Sequence, residues 1–121
     1  MARILVVDDE AMVLEVLSRM LSAWGHDVVT AEDVQDGIDK YDPASFDLVL
    51  TDYQTPRGTG LQLLEKVREA DPETPVFVIS GHWNQGDRSR AHELGASTMD
   101  KPCDFNRLRL DIQKALEAQD D

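Results

Sequence analysis

Leu48-Val49-Leu50-Thr51-Asp52-Tyr53-Gln54-Thr55-Pro56 is the segment from which the architecture of this 121-residue chain can be reasoned. The short apolar run from Asp47 to Thr51 predicts a buried strand, and Asp52 follows where that strand should end. Pro56, Gly58 and Gly60 then hold the backbone in an irregular loop before the next helical pattern. In an open parallel sheet, ligands collect outside the carboxyl ends of the strands, which is where Asp52 would stand. Strand-ending acids are also common turn residues, so Asp52 alone does not separate chemistry from a plain turn. The flanking chain does.

Upstream, Arg3-Ile4-Leu5-Val6-Val7 is a β-branched apolar run that ends in Asp8-Asp9-Glu10. The pattern then becomes helical, with Leu14, Leu17, Leu21 and Trp24 on one face and Gly25 as the expected stop. The adjacent acids suit the positive end of that helix, which gives Asp8 and Asp9 an ordinary capping role to set against a functional one. Asp27 to Ala31 predicts a second strand, followed by Val34, Ile38 and Tyr41 at helical spacing and by Pro43, which bars continuation.

Downstream, Thr59-Gly60-Leu61-Gln62 resembles a capping box, and Leu64, Val67 and Ala70 extend an apolar helical face up to Pro72. Pro75 to Ile79 predicts the fourth strand, ending in Ser80-Gly81, with a polar helix from about Asp87. Ala96 to Met99 is a short fifth strand before Asp100-Lys101-Pro102. Asp104 is placed to cap a last helix with Phe105, Leu108, Ile112, Ala115 and Leu116 inward, and the acidic end, Asp120-Asp121, is expected to fray. Strand and helix alternate five times, which predicts right-handed crossovers and a parallel sheet covered on both faces. The expected fold is α/β, a flavodoxin-like doubly wound sheet of five strands in the order 2-1-3-4-5 with five helices, and residues 1–121 form one domain.

Composition narrows the function. Hydrophobic residues make up 41% of the chain and no run is long enough to span a membrane or to form a signal-peptide core. A net charge of -12 disfavours direct contact with nucleic acid or an anionic membrane. The single cysteine, Cys103, has no internal partner and fits a cytoplasmic protein.

Four of the five strand ends carry chemistry-bearing side chains: Asp8 and Asp9, Asp52, Ser80, and Lys101. In the order 2-1-3-4-5, strands one and three are neighbours, so the three aspartates converge at the topological switch point. Crowded carboxylates are costly unless something positive joins them. Magnesium, with manganese as its substitute, suits oxygen ligands and leaves room for a phosphate oxygen. Lys101 supplies a compact charge suited to phosphate and Ser80 a hydroxyl donor. Acids with lysine and hydroxyl point to phosphoryl transfer, with Asp52 as carboxylate nucleophile and Asp8 and Asp9 as ligands.

These residues resemble the receiver domain of bacterial two-component response regulators over about Arg3 to Leu116. The resemblance rests on Asp8-Asp9, Asp52, Pro56 and Gly60, Ser80-Gly81 and Lys101-Pro102. It implies phosphorylation of Asp52 by a histidine kinase or histidine phosphotransfer protein, with magnesium on Asp8, Asp9, Asp52 and the Gln54 main-chain carbonyl. Ser80 and Lys101 would hold the phosphoryl oxygens, and Lys101-Pro102 would be a cis peptide. Gln54, Gly81 and His82 stand at positions that influence phosphoryl lifetime in that family. Two departures follow: Thr98 replaces the usual aromatic of the switch, and Thr55 and Thr59 replace the usual Met and Asp of the loop.

The implied role is a phosphoryl-operated switch rather than an enzyme acting on a separate substrate. It would pull Ser80 inward, move the loop after the fourth strand, and signal to a downstream protein or an attached output domain. Competing readings are a magnesium-dependent aspartyl-phosphate phosphohydrolase, a flavodoxin relative, and an interaction module without chemistry. The first would carry a second acid two residues after the nucleophile, where this chain has Gln54; the second would need a first loop that does not repel phosphate. The chain could act alone or be a piece of a hybrid kinase or transcription factor. Trp83, in a polar loop, is either a partner contact or folded back over the fourth helix. Arg88, Arg90, Arg107 and Arg109 are a solvated face or a docking patch.

Overall fold

The chain alternates as its periodicity requires, and the computed structural model describes residues 2–119. In chain order the elements are β1 (Arg3–Val7), α1 (Ala11–Ala23), β2 (Asp27–Ala31), α2 (Val34–Lys40) and β3 (Leu48–Asp52). They continue with α3 (Gly60–Ala70), β4 (Val76–Ser80), α4 (Asp87–Glu93), β5 (Ser97–Asp100) and α5 (Phe105–Gln119). Between β3 and α3, Gln54–Thr55 and Gly58–Thr59 pair as a small antiparallel ribbon. Asp120 and Asp121, expected to fray, lie outside the described residues.

All neighbours in the main sheet are parallel and the order is β2-β1-β3-β4-β5, as the sequence predicts. Side chains alternate across the sheet, so each strand feeds two cores. Leu5, Val7, Val49, Val76 and Val78 face α2, α3 and α4, meeting Val34, Leu63, Leu64, Val67 and Ala91. Ile4, Val6, Leu48, Leu50, Phe77 and Ile79 face α1 and α5, meeting Leu17, Leu21, Leu108 and Ile112. Covering both faces leaves β3 and β4 buried along their whole length. Among the described residues no helix is long and apolar enough to cross a membrane.

Local signals place the ends. Gly25 adopts φ 92° after α1, with His26 N–H donating to Leu21 O and Gly25 N–H to Ser22 O, a Schellman closure. Asp104 Oδ1 accepts from Asn106 and Arg107 N–H at the start of α5. The expected Thr59–Gln62 pairing is present in the bond from Thr59 N–H to Gln62 Oε1, 2.9 Å.

Four expectations need correction. Asp52 and Ser80 are the last residues of their strands, not the residues after them. Glu10, not Asp8 or Asp9, occupies the N-cap of α1 and makes no side-chain cap bond. Asp8 instead bends the chain by accepting Glu10 N–H at 2.8 Å. Phe105 is 41% exposed. It sits on the rim of a cleft with Val13, Leu17, Pro102 and Cys103, and the buried face of α5 begins only at Leu108. Ala70 is likewise exposed at the end of α3.

Candidate functional site

The two central strands bring their carboxyl-terminal acids together. Asp8 leaves β1 at 4% exposure, Asp52 ends β3 at 6%, and Asp9 faces solvent beside them. One carboxylate oxygen from each lies within 4.8 Å of the other two. Lys101, directly after β5, reaches back so that Nζ donates to Asp52 Oδ2 at 3.1 Å. Its own N–H donates to Ser80 O at 3.0 Å, which extends the β4–β5 pairing and fixes where the side chain starts. Lys101-Pro102 is cis, as expected.

Electrostatics follow from burial and crowding. Burial pushes the Asp52 carboxyl up from 3.8 to about 6, even though the hydrogen bond and charge of Lys101 pull it down, and Asp8 and Asp9 add repulsion. Asp8 is raised for the same first reason, against the pull of Glu10 N–H and Lys101. Burial works against the Lys101 ammonium, yet its bond to Asp52 and the charges of Asp52, Asp8 and Glu10 outweigh it and the net shift is upward. The two partners do not shift in mirror image. With side chains 7% and 32% exposed, Asp52 is the deeper group, so desolvation governs it while attraction governs Lys101. Asp8 and Asp9 also line a cleft of about 700 Å³ whose walls include Glu15, Glu32 and Asp33, a mouth open to solvent and strongly acidic.

The remaining expected residues surround this group without all joining it. Ser80 ends β4 at 4% exposure, and its hydroxyl is engaged by one residue: it donates to His82 O and accepts His82 N–H at 3.0 Å. Gly81 is exposed, and a Cβ built there would stand 3.6 Å from Lys101 Cβ. His82 and Gln54 are exposed, Gln54 being paired with Thr59 in the ribbon. Thr98 faces α4, where its Oγ1 lies 2.7 Å from His92 Nε2. Cys103 is half-buried, and burial pushes its thiol up. The four arginines do not form a patch. Arg88 pairs with Asp100 (3.4 Å), Arg90 with Glu93 (3.4 Å), Arg107 with Asp111 (3.3 Å), and Arg109 lies over the Trp24 ring (5.1 Å).

The loop after Asp52 is built more firmly than its departures suggest. Thr55 Oγ1 accepts Val34 N–H and donates to Gly58 O, both at 2.9 Å, tying the ribbon to the start of α2. Arg57 adds a forked pair to Asp33 at 2.7 and 3.2 Å. Gly60 N–H donates to Tyr53 O at 2.6 Å, and a Cβ on Gly60 would meet Asp52 O at 2.8 Å. Sequence reasoning missed Tyr53, which is fully buried, packs its ring at a tilt of 35° on Trp83 with centroids 4.6 Å apart, and donates its hydroxyl to Asp87. Its signal was the aromatic directly after the strand-end acid, paired with the lone aromatic of a polar loop. Trp83 is thus folded back, though onto Tyr53 rather than α4 alone.

A family model described as response regulator receiver domain matches residues 4–113. The transcriptional regulatory protein DltR of Streptococcus agalactiae is 35% identical over 107 residues, covering 88% of this chain and 48% of that protein. The Regulator of RpoS of Escherichia coli is 38% identical over 109 residues, covering 88% of this chain and 32% of its own length. The chain therefore spans about half, or less, of the length of these curated relatives. A response regulator receiver domain protein of Clostridium thermocellum superposes with a TM-score of 0.91 at 28% identity, covering 99% of this chain and 98% of that one. By the family match, the strand order and the grouping of Asp8, Asp9, Asp52 and Lys101, the chain belongs to the response regulator receiver domains of two-component systems.

Proposed function

We propose that Asp52 accepts a phosphoryl group from a histidine kinase or histidine phosphotransfer protein. The observation that carries this reading is the position of Asp52, buried beside two further aspartates and bonded to Lys101. A carboxylate oxygen of Asp52 attacks phosphorus, the bond from phosphorus to the donor nitrogen breaks, and the electron pair leaves with the imidazole. Lys101 already faces Asp52 Oδ2 and can hold a phosphoryl oxygen once that group arrives. Ser80 supplies a second donor after its hydroxyl turns away from His82.

The donor set of Asp8, Asp9 and Asp52 is all oxygen, the type that magnesium takes, and the Gln54 main-chain carbonyl completes the set proposed for this chain. When bound, the cation neutralises charge on the transferring phosphoryl oxygens. The chain catalyses its own phosphorylation and hydrolysis and acts as a switch, alone or joined to an output domain. His82 and Gln54, exposed beside the site, govern access of water to the acyl phosphate.

Incubation with acetyl phosphate and magnesium, read by intact mass, tests the assignment. Wild type should gain one phosphoryl group, while Asp52→Ala and wild type without divalent cation should gain none. Steady release of phosphate from small phosphomonoesters would favour a phosphohydrolase instead.

A further inference from the structure

We propose that Tyr53, Trp83 and Asp87 form a clamp that positions Ser80, by holding the loop that occupies its hydroxyl. This rests on the reading of Asp52 as phosphoacceptor. Tyr53 is a fixed post. Its N–H donates to Ile79 O at 2.8 Å and its carbonyl accepts Gly60 N–H at 2.6 Å, so the backbone next to Asp52 is pinned on both sides.

The post carries the loop in two ways. Its ring packs on Trp83 at 4.6 Å between centroids, and its hydroxyl donates to Asp87, the first residue of α4. Trp83 follows His82, the residue whose N–H and carbonyl both engage Ser80 Oγ. Ser80 cannot turn toward a phosphoryl oxygen without giving up both bonds, and His82 cannot move without dragging Trp83 off Tyr53.

The clamp is built to be left. The Trp83 indole Nε1 is buried and has no hydrogen-bond partner among the described residues, a cost that any outward movement relieves. On the same face of the sheet, in β5, Thr98 offers only a hydroxyl, bonded to His92. The aromatic coupling therefore runs from β3 through Tyr53, not from β5.

The test uses the full chain with Trp24→Phe, which leaves Trp83 as the sole tryptophan. Acrylamide quenching reports Trp83, and intact mass reports acyl phosphate in the same samples given acetyl phosphate and magnesium. Tyr53→Phe and Asp87→Ala should each raise quenching before any donor is added, toward the level of phosphorylated wild type. Each should also speed phosphorylation about tenfold, the weight of one hydrogen bond to a charged acceptor. A merely structural contact would lower Tm and leave the rate unchanged or slower, and either rate result in both variants overturns the clamp. Unchanged quenching in both does the same. If wild type gains no phosphoryl mass, the assignment of Asp52 fails, and the clamp's role falls with it.

Discussion

Asp52 and Asp8 hold their protons more tightly folded than free, because both give up water without gaining enough positive charge in return. The consequence for stability has a definite sign. Between about pH 4 and about 6 the unfolded chain has released the Asp52 proton and the folded chain has not, so stability falls as pH rises through that interval. Screening at a site open to solvent leaves roughly 1–2 kcal/mol of the effect. Asp33 and Asp71 are held below their ordinary values, the first chiefly by Arg57 and the second by the Glu73 N–H. Their loss therefore comes at lower pH and does not mask the interval. Burial lowers the His26 imidazole, which adds a rise toward pH 6.5 in any variant. The urea midpoint of the metal-free protein should therefore decline from pH 4 to 6 relative to Asp52→Asn, and Asp52→Asn should be the more stable protein at pH 7. A variant that follows the wild-type curve would mean that Asp52 is not desolvated.

Among the elements, close approach rather than propensity sets the tolerances. The first residue of α3 must sit against the end of β3, and a Cβ on Gly60 would meet backbone, Asp52 O, at 2.8 Å, with Thr51 and Val78 methyls at 3.2 Å. Backbone cannot yield as a flexible side chain can, so Gly60→Ala should cost about 1–3 kcal/mol and shift the Asp52 carbonyl. Gly81, on the other flank, has only Lys101 Cβ at 3.6 Å, and Gly81→Ala should unfold within about 0.5 kcal/mol of wild type. Equal chemical denaturation midpoints for the two variants would contradict this. The same contrast explains what could be read beforehand. Alternating Ile4, Leu5, Val6 and Val7 disclosed a two-faced strand, and the order of strands then forced Asp8, Asp9, Asp52 and Lys101 to one end. Periodicity reports which face a residue takes but not how its bonds are shared. The Ser80–His82 lock, the Thr55 tie to α2 and the Tyr53–Asp87 bond each join residues through loop geometry that leaves no periodic trace. Phe105 failed for a related reason: its spacing from Leu108 is right for the buried face, but the first turn of α5 stands at a cleft.

For the molecule as a whole, the acids at the site are a small part of a large charge. A formal charge of -12 means that any salt stabilises the fold somewhat by screening, so a gain in Tm on adding magnesium is not by itself binding. What separates the two is site dependence at nearly constant net charge. A cation at ten times its dissociation constant adds about 1.4 kcal/mol by linkage. For a chain of this size that is roughly 3–6 °C in Tm. Wild type at pH 7.5 should show this rise over sodium chloride of equal ionic strength. Asp8→Asn and Asp52→Asn should keep only the screening part. At pH 4 wild type should lose the difference too, because the Asp52 carboxyl, pushed up to about 6, is then protonated and offers a poor ligand. Identical shifts in all three proteins would show that magnesium acts on the overall field and not at the meeting of β1 and β3.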